Sequence, residues 1–170
     1  MPTDTIDFMG QQVPLEAERV ATHGVQLTPG AVEQLRRLPG LKALNLNTSD
    51  TTDELLAAIC RLVTLEDLDV SCTNITDAGA AHLRGLVHLR HLRIKENDLS
   101  DALVDHLLAL PDLETLNLKG LALSDAAIER LAALGKLEQV VFSGLRSRAG
   151  VEALKHLRPA CDVVLDGTSL

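Results

Sequence analysis

The chain has 170 residues, and 46% of them are apolar, which is enough for one domain with a sizeable core. Trp and Tyr are absent and there are two Phe, so the core must be built from aliphatic side chains. The formal charge of -8 disfavours a nucleic-acid or anionic-membrane surface, because such surfaces need a basic footprint.

The N-terminal residues 1–16 lack a basic segment followed by an apolar run, and no stretch of the chain approaches membrane-spanning length. We therefore expect a soluble, cytoplasmic protein, although export as an effector stays open. We expect residues 1–16 to form a cap that covers the segment after them, with a short strand around Ile6–Phe8. The apolar residues that indicate this cap are Ile6, Phe8, Met9, Val13 and Leu15.

From residue 17 onward, a unit of 24 residues recurs. The motif Leu-x-x-Leu-x-Leu, or a close variant, begins at each of five evenly spaced leucines: Leu41, Leu65, Leu89, Leu113 and Leu137. Segments in phase with these begin at Ala17 and, after a shorter step, at Ala160. Within each unit the apolar period is first 2, as in a strand, and then 3 to 4, as in a helix. Residues 17–170 are therefore predicted to form six strand–helix repeats and a closing strand.

A hydroxyl residue stands at each predicted junction from strand to helix. Ser and Thr are preferred N-caps, because the hydroxyl accepts a hydrogen bond from an unpaired backbone N–H. Pro or Asp follows, as suits a first helical turn, so we interpret these Asp residues as structural and not catalytic. The two columns are Thr28, Thr52, Thr76, Ser100, Ser124 and Ser147, and then Pro29, Asp53, Asp77, Asp101 and Asp125.

With the pattern Leu-x-x-Leu-x-Leu-x-x-(Asn/Thr)-x-Leu and the segment TNITDAG from Thr73 to Gly79, the chain resembles leucine-rich-repeat proteins of the 24-residue bacterial type. It is more loosely similar to the cysteine-containing and ribonuclease-inhibitor-like types. The resemblance covers about Ala17 to Leu165. It implies an α/β fold, a right-handed leucine-rich-repeat solenoid (horseshoe) with a concave parallel β-sheet and convex helices. The usual polar ladder at the Asn position is expected in the middle repeats alone.

Side chains that alternate with the buried strand positions project from the concave sheet, where solenoids generally contact their partners. Adjacent strands lie about 4.8 Å apart, so we expect Asp67 to face His91. By the same register, Asp69 faces Arg93. The candidate partner-binding residues on or beside this face are Asp67, Asp69, Ser71, Arg90, His91, Arg93, Lys95, Asn117 and Lys119.

Two interpretations of these charges remain open. Oppositely charged neighbours can compensate one another on a solvated face, where each pair contributes about 0–1 kcal/mol. Alternatively, the cations form a recognition stripe for an acidic protein partner: Arg90, Arg93, Lys95 and Lys119.

A catalytic site is not favoured. Ser71, His91 and a neighbouring Asp could form a hydrolase triad, but an open sheet offers no pocket, no oxyanion donors and no orienting groups. His82 and His106 lie one repeat apart on the convex helices, which is too far for a shared metal ion. We expect no catalytic residue, metal or cofactor.

The resemblance implies a non-enzymatic protein-interaction module, working as an intracellular adaptor or regulator in a bacterium. The alternatives are an effector-type substrate-recognition module for a ubiquitin ligase and, outside this class, a hydrolase. We expect a monomer in which Asp162 and Asp166 protect the exposed edge of the last strand by charge, with an edge-to-edge dimer through that strand as the alternative. Three cysteines without disulfide or zinc spacing suit a reducing compartment.

Overall fold

The structure is a computed structural model and describes residues 4–170. Strands and helices alternate along the chain, as the repeat predicts. The strands of the repeats are β3 (Arg19–Ala21), β4 (Ala43–Asn45), β5 (Asp67–Asp69), β6 (His91–Arg93), β7 (Thr115–Asn117), β8 (Gln139–Phe142) and β9 (Asp162–Leu165). The helices are α1 (Pro29–Leu35), α2 (Asp53–Ile59), α3 (Asp77–Ala80), α4 (Ala102–Leu107), α5 (Asp125–Arg130) and α6 (Ala149–Leu157). Short 3₁₀ turns continue α3 and α5 over Ala81–Gly85 and Leu131–Ala133.

The seven repeat strands, β3 to β9, form one parallel sheet in which sequence neighbours are also spatial neighbours. Leu44 pairs with Leu68, which in turn pairs with Leu92, so the register keeps the 24-residue phase of the sequence. One face of the sheet packs on the helices and the other is open. The predicted α/β leucine-rich-repeat solenoid is therefore confirmed, and we call the open side of the sheet the concave face.

The core is a continuous aliphatic column between sheet and helices. Leu65, Leu89 and Leu92, for example, are completely buried, because each repeat covers the leucines of the next. The two phenylalanines lie in the parts of this core nearest its two ends. Phe8 packs in the N-terminal segment and Phe142 in β8, and both are fully buried.

The N-terminal segment is a hairpin of β1 (Thr5–Phe8) and β2 (Gln11–Pro14). Met9 and Gly10 both have positive φ, as a two-residue hairpin turn of type I′ requires. The predicted strand at Ile6–Phe8 is confirmed, and its apolar side chains join the core of the first repeat. Residues 1–3 of the predicted cap 1–16 lie outside the described part of the chain, and the boundary itself remains a prediction.

The C-terminal edge differs from the prediction. A short strand, β10 (Thr168–Ser169), folds back antiparallel on β9, and Leu170 N donates to Val163 O at 2.9 Å. The turn is Asp166-Gly167, again with positive φ at both positions. The expectation that β9 presents a free edge is wrong, because this hairpin pairs it within the chain. A dimer through the edge of β9 would require β10 to move away.

At the junctions between strands and helices, five of the six predicted hydroxyl residues accept a hydrogen bond from the first turn of the helix: Thr28, Thr76, Ser100, Ser124 and Ser147. Thr52 stands at the N-cap of α2 but makes no such bond, and its hydroxyl donates to Glu54 Oε2 instead. The Asp that follows a cap also binds the hydroxyl residue of the next repeat, as Asp53 does with Thr76. These carboxylates therefore connect successive repeats as well as favouring their own helix.

The predicted polar ladder is present in the middle of the solenoid. Asn97 Oδ1 accepts hydrogen bonds from Thr73 N at 3.0 Å and from Thr73 Oγ1 at 2.8 Å. Its amide nitrogen donates to Val70 O and Ile94 O. These bonds pair backbone groups in the turn after the strand, and they orient the residues that leave the sheet there. Over residues 4–170, no helix has the length and apolar character needed to cross a membrane.

Candidate protein-binding face

The predicted site residues fall into three groups by exposure. Arg90 and Arg93 are exposed, while Asp69 and Ser71 are buried, with 6% and 0% of their surface accessible. The others are half-buried on or just beyond the strands of the open sheet: Asp67, His91, Lys95, Asn117 and Lys119. The register expected from the sequence is present, since Asp67 pairs with His91 in the ladder between β5 and β6.

The expected exposure of Asp69 and Ser71 is wrong, and turn geometry is the reason. Asp69 Oδ1 accepts a hydrogen bond from Ser71 N at 3.0 Å, which closes a turn at the end of β5. Asn45 and Asn117 accept in the same way from the backbone N–H two residues further on. The Asp and Asn side chains of this column therefore close the turns that end their strands. A charge change at Asp69 would disturb the fold as well as the surface.

Asp69 and Arg93 are register partners, as expected, but Arg93 forms its ion pair with Asp67. Its Nη1 donates to Asp67 Oδ1 at 2.8 Å, diagonally across the ladder, and Asp69 takes no part. Arg19 Nη1 approaches Asp67 Oδ2 at 4.0 Å from the other side. His91 Nδ1 is 2.9 Å from Thr115 Oγ1. The acidic N-terminal half of the face is thus largely compensated by the protein's own arginines.

Arg90 lies just before β6. The equivalent positions before the neighbouring strands carry charges of alternating sign. Arg90 Nε and Nη2 donate to the two carboxylate oxygens of Glu114 at 2.8 and 2.9 Å. This bidentate hydrogen bonding, and then the charge of Glu114, raises the pKa of the Arg90 guanidinium above its ordinary value. In the same column Lys42 lies between Glu18 and Glu66, at 3.8 and 3.9 Å. Because Arg90 is already paired, it is not an available cation of the concave face.

Of the cations predicted to bind a partner, Lys95 and Lys119 differ from Arg90 and Arg93, which are both ion-paired. Within residues 4–170 neither ammonium group has a carboxylate oxygen within 4.0 Å. Beside them on the open sheet, Val141 and Val164 form a register pair and are both half-buried. We call these four residues the basic–apolar patch. The valines were not among the predicted site residues, although two adjacent apolar residues in an outward column were a usable signal.

Two depressions lie on the surface of the solenoid. The first, of about 200 Å³, lies on the concave face, and its lining includes Arg19, Ala43, Asp67 and Arg93. The second is a cleft of about 530 Å³ between α1 and α2 on the convex side, and Val32 is among its lining residues. The first depression belongs to the candidate face, and the second is separate from it.

Ser71, His91 and the neighbouring Asp residues do not form a catalytic triad in the described structure. Ser71 Oγ is buried and has no hydrogen-bond partner among residues 4–170, so no base activates it. The His91 ring nitrogen that faces a hydroxyl is engaged with Thr115. The combination of Ser71, His91 and an Asp therefore lacks the contacts of a triad.

The groups considered for metal or thiol chemistry are also occupied or buried. His106 Nδ1 accepts from Arg84 Nε at 2.9 Å, and burial followed by the charge of Arg84 lowers the pKa of His106. Burial raises the pKa of the Cys60 thiol to about 12. In the described part of the chain, no three His, Cys, Asp or Glu side chains are grouped as metal ligands.

Comparison with known proteins agrees with this architecture. A family profile described as leucine rich repeat matches residues 63–123. A crystal structure of an internalin (inlF) from Listeria monocytogenes superposes with a TM-score of 0.66 over 88% of this chain. The two sequences are 20% identical, and the chain spans 41% of the internalin chain, so this likeness concerns the fold. No curated protein sequence matched the chain significantly.

Proposed function

We propose that this chain, whose repeats resemble the leucine-rich-repeat family and whose fold resembles that of an internalin, is a non-enzymatic interaction module that binds a protein partner on its concave face. The observation that carries the proposal is the basic–apolar patch. Lys95 and Lys119, which have no ion pair within residues 4–170, lie beside Val141 and Val164 on an open sheet. A solenoid offers such a surface along its whole length, because its repeats stack side by side.

The type of repeat and the pairing of the strands support a binding role over an enzymatic one. The repeat family and the fold are typical of protein-interaction modules and are typically non-enzymatic. The strands that carry or precede the patch residues are paired on both sides, β6 to β8 with parallel neighbours and β9 with parallel β8 and antiparallel β10, so the outward side chains start from fixed positions. Pre-organised positions reduce the entropy lost on association.

For the cellular role, we propose an adaptor or regulator in the bacterial cytoplasm. Free cysteines support a reducing compartment, because Cys60, Cys72 and Cys161 form no disulfide. A role as a recognition module for a ubiquitin ligase would require a ligase on a second chain or segment. No contact among the described residues favours that alternative over the adaptor.

Site-specific photo-crosslinking in the producing cells tests the proposal. A photoreactive phenylalanine analogue replaces Val141 on the concave face or, as the matched control, exposed Ala126 on α5. We expect a crosslinked partner protein from position 141 and none from position 126. Adducts from position 126 alone would contradict binding on the concave face.

A further inference from the structure

The two lysines of the basic–apolar patch differ from the other lysines of the chain. Of five lysines, Lys42 and Lys136 lie within 4 Å of carboxylates, and Lys155 donates to a backbone carbonyl. Lys95 and Lys119 have no such partner among residues 4–170, although they sit on adjacent repeats and the chain carries 24 carboxylates. Like charges on neighbouring strands repel each other, so an external anion would relieve this repulsion.

The backbone around both lysines is fixed, while their ammonium groups remain free to adjust. Lys95 O accepts a hydrogen bond from Cys72 N at 2.9 Å, and Lys119 O accepts one from Glu96 N at 3.0 Å. Lys119 N also donates to Asn117 Oδ1. The two side chains therefore leave the sheet from well-defined points about one strand spacing, 4.8 Å, apart.

The two carboxylates of β5 on this face are already engaged. Arg93 and Arg19 lie against Asp67, and Asp69 accepts the backbone N–H of Ser71. A basic partner would have to displace these contacts, whereas an acidic partner meets two lysines that form no ion pair in the described part of the chain. Charge complementarity therefore favours an acidic occupant.

Resting on the proposed function, we propose that the concave face recognises an extended acidic segment of a partner protein that also carries an aliphatic residue. Its carboxylates meet Lys95 and Lys119, and its aliphatic side chain covers Val141 and Val164. From β6 to β9 the patch spans three strand spacings, about 14 Å. An extended chain rises about 3.3 Å per residue and alternates its side chains, so acidic-x-acidic-x-aliphatic covers the patch.

A selection from a displayed library of random twelve-residue peptides on the whole chain tests this assignment. Enriched peptides are then measured against Lys95→Glu/Lys119→Glu and against Val141→Ser. The matched control is Arg37→Glu/Arg148→Glu, which changes the net charge equally at two exposed arginines. All variants change surface side chains, and circular dichroism checks that each is folded.

We expect enriched peptides with two acidic residues and one aliphatic residue in the stated spacing. Their affinity falls at least tenfold on the lysine variant and at least threefold on Val141→Ser, and it stays within twofold on the control. Binding to wild type also weakens at high salt, because exposed charges are screened.

The other outcomes separate the two proposals. Basic or neutral peptides that still lose binding on the lysine variant would overturn the acidic partner but leave the concave binding face. Peptides that bind all variants equally would overturn this inference and weaken the proposed face as well. If no peptide is enriched, the acidic-segment inference is wrong, and the crosslinking at position 141 decides the proposed function independently.

Discussion

Asp77 of one repeat accepts two hydrogen bonds from Ser100 of the next: Oδ1 from the backbone N–H at 3.0 Å and Oδ2 from the hydroxyl at 2.6 Å. Asp53 binds Thr76 in this way, and so does Asp101 with Ser124. We call this contact the carboxylate clamp. Because it joins the starts of adjacent helices, it contributes to the coupling between neighbouring repeats on which a solenoid depends.

Removing one clamp should weaken the whole domain. Asp77→Ala leaves the backbone N–H and hydroxyl of Ser100 without their carboxylate, and we expect the free energy of unfolding to fall by about 1–2 kcal/mol. Urea unfolding at neutral pH measures this change. The control is Asp98→Ala, an exposed carboxylate with no side-chain hydrogen bond in residues 4–170, which should change stability by less than about 0.5 kcal/mol. Equal losses in both variants would show that the clamp contributes nothing specific.

The junction between α1 and α2 lacks the clamp, because Pro29 occupies the Asp position. Thr52 has no carboxylate from the preceding repeat, and its hydroxyl donates to Glu54 Oε2 at 2.7 Å. The convex cleft opens at this same junction, and Pro29, Thr52 and Glu54 line it. We expect Pro29→Asp to create the missing clamp and to raise the free energy of unfolding by about 1 kcal/mol.

Pro29→Ala is the reference for that substitution, because it removes the proline without adding a carboxylate. The difference between the Asp and Ala variants in urea unfolding therefore reports the clamp, free of the effect of proline on the unfolded chain. Repeating the comparison with Thr52→Val should reduce the difference, because valine lacks the hydroxyl and keeps only the backbone N–H as a donor. A difference that is undiminished without the Thr52 hydroxyl would show that the hydroxyl half of the clamp does not form.

The repeats were predicted from the sequence, but the carboxylate clamps that join them were not. Leucine spacing predicted the repeats and the strand register, since Leu68 and Leu92 occupy equivalent positions. The column of hydroxyl residues likewise predicted the cap hydrogen bonds, except at Thr52. The clamp was missed because periodicity identifies equivalent residues but not the direction in which a side chain such as Asp77 turns between two repeats. The C-terminal hairpin did have a sequence signal, Asp166-Gly167, which is typical of a two-residue turn.

The binding face was predicted in outline, and its individual residues less well. The outward positions predicted from the columns include the accessible Lys95 and Lys119, but also Asp69 and Ser71, which are buried. Column analysis did not predict that Asp69 would be drawn into a turn or that Arg90 would pair with Glu114. Both depend on side-chain conformations at distances of a few ångströms, and a column of residue types contains no such distances.

Gly144 should be sensitive to substitution through its backbone conformation alone. Its φ is +68°, and an added Cβ would meet no atom within 4 Å. Gly144→Ala therefore tests strain without a clash, and we expect it to destabilise the protein by about 1–2 kcal/mol in thermal or urea unfolding. Gly135→Ala is the matched control, since Gly135 also has open space but lacks positive φ. It should be neutral or stabilise by up to about 1 kcal/mol.

The three thiols should react at different rates. Cys60 and Cys161 are buried, and burial raises the pKa of each thiol, to about 12 for Cys60. Cys72 is half-exposed on the turn after β5. Since the thiolate is the reactive form, a disulfide reagent at pH 8 should modify Cys72 in the folded protein and the other two after unfolding in urea. Peptide mapping identifies the modified residue, and Cys72→Ser should abolish the native-state reaction. Rapid labelling of Cys60 in the folded state would contradict its burial.

Asp125, at the junction between α5 and α6, should make the free energy of unfolding depend on pH. Hydrogen bonding from the Ser147 hydroxyl, and then from Gly150 N at 2.7 Å, lowers the pKa of this carboxyl below its ordinary value of 3.8. A lowered pKa in the folded state means that the ionised carboxylate stabilises the protein above pH 3.8. That contribution is lost as the pH falls through the folded-state pKa.

We therefore expect Asp125→Asn to be less stable than wild type at pH 7, with a gap that narrows below pH 3.8 as the wild-type carboxyl is protonated. Urea unfolding midpoints at a series of pH values from neutral to acidic measure the gap. Asp98→Asn, which removes an exposed carboxylate without a side-chain hydrogen bond in the described chain, should match wild type at pH 7. A gap for Asp125→Asn that stays constant across the acidic range would show that the loss comes from packing against Gly150 and not from the charge.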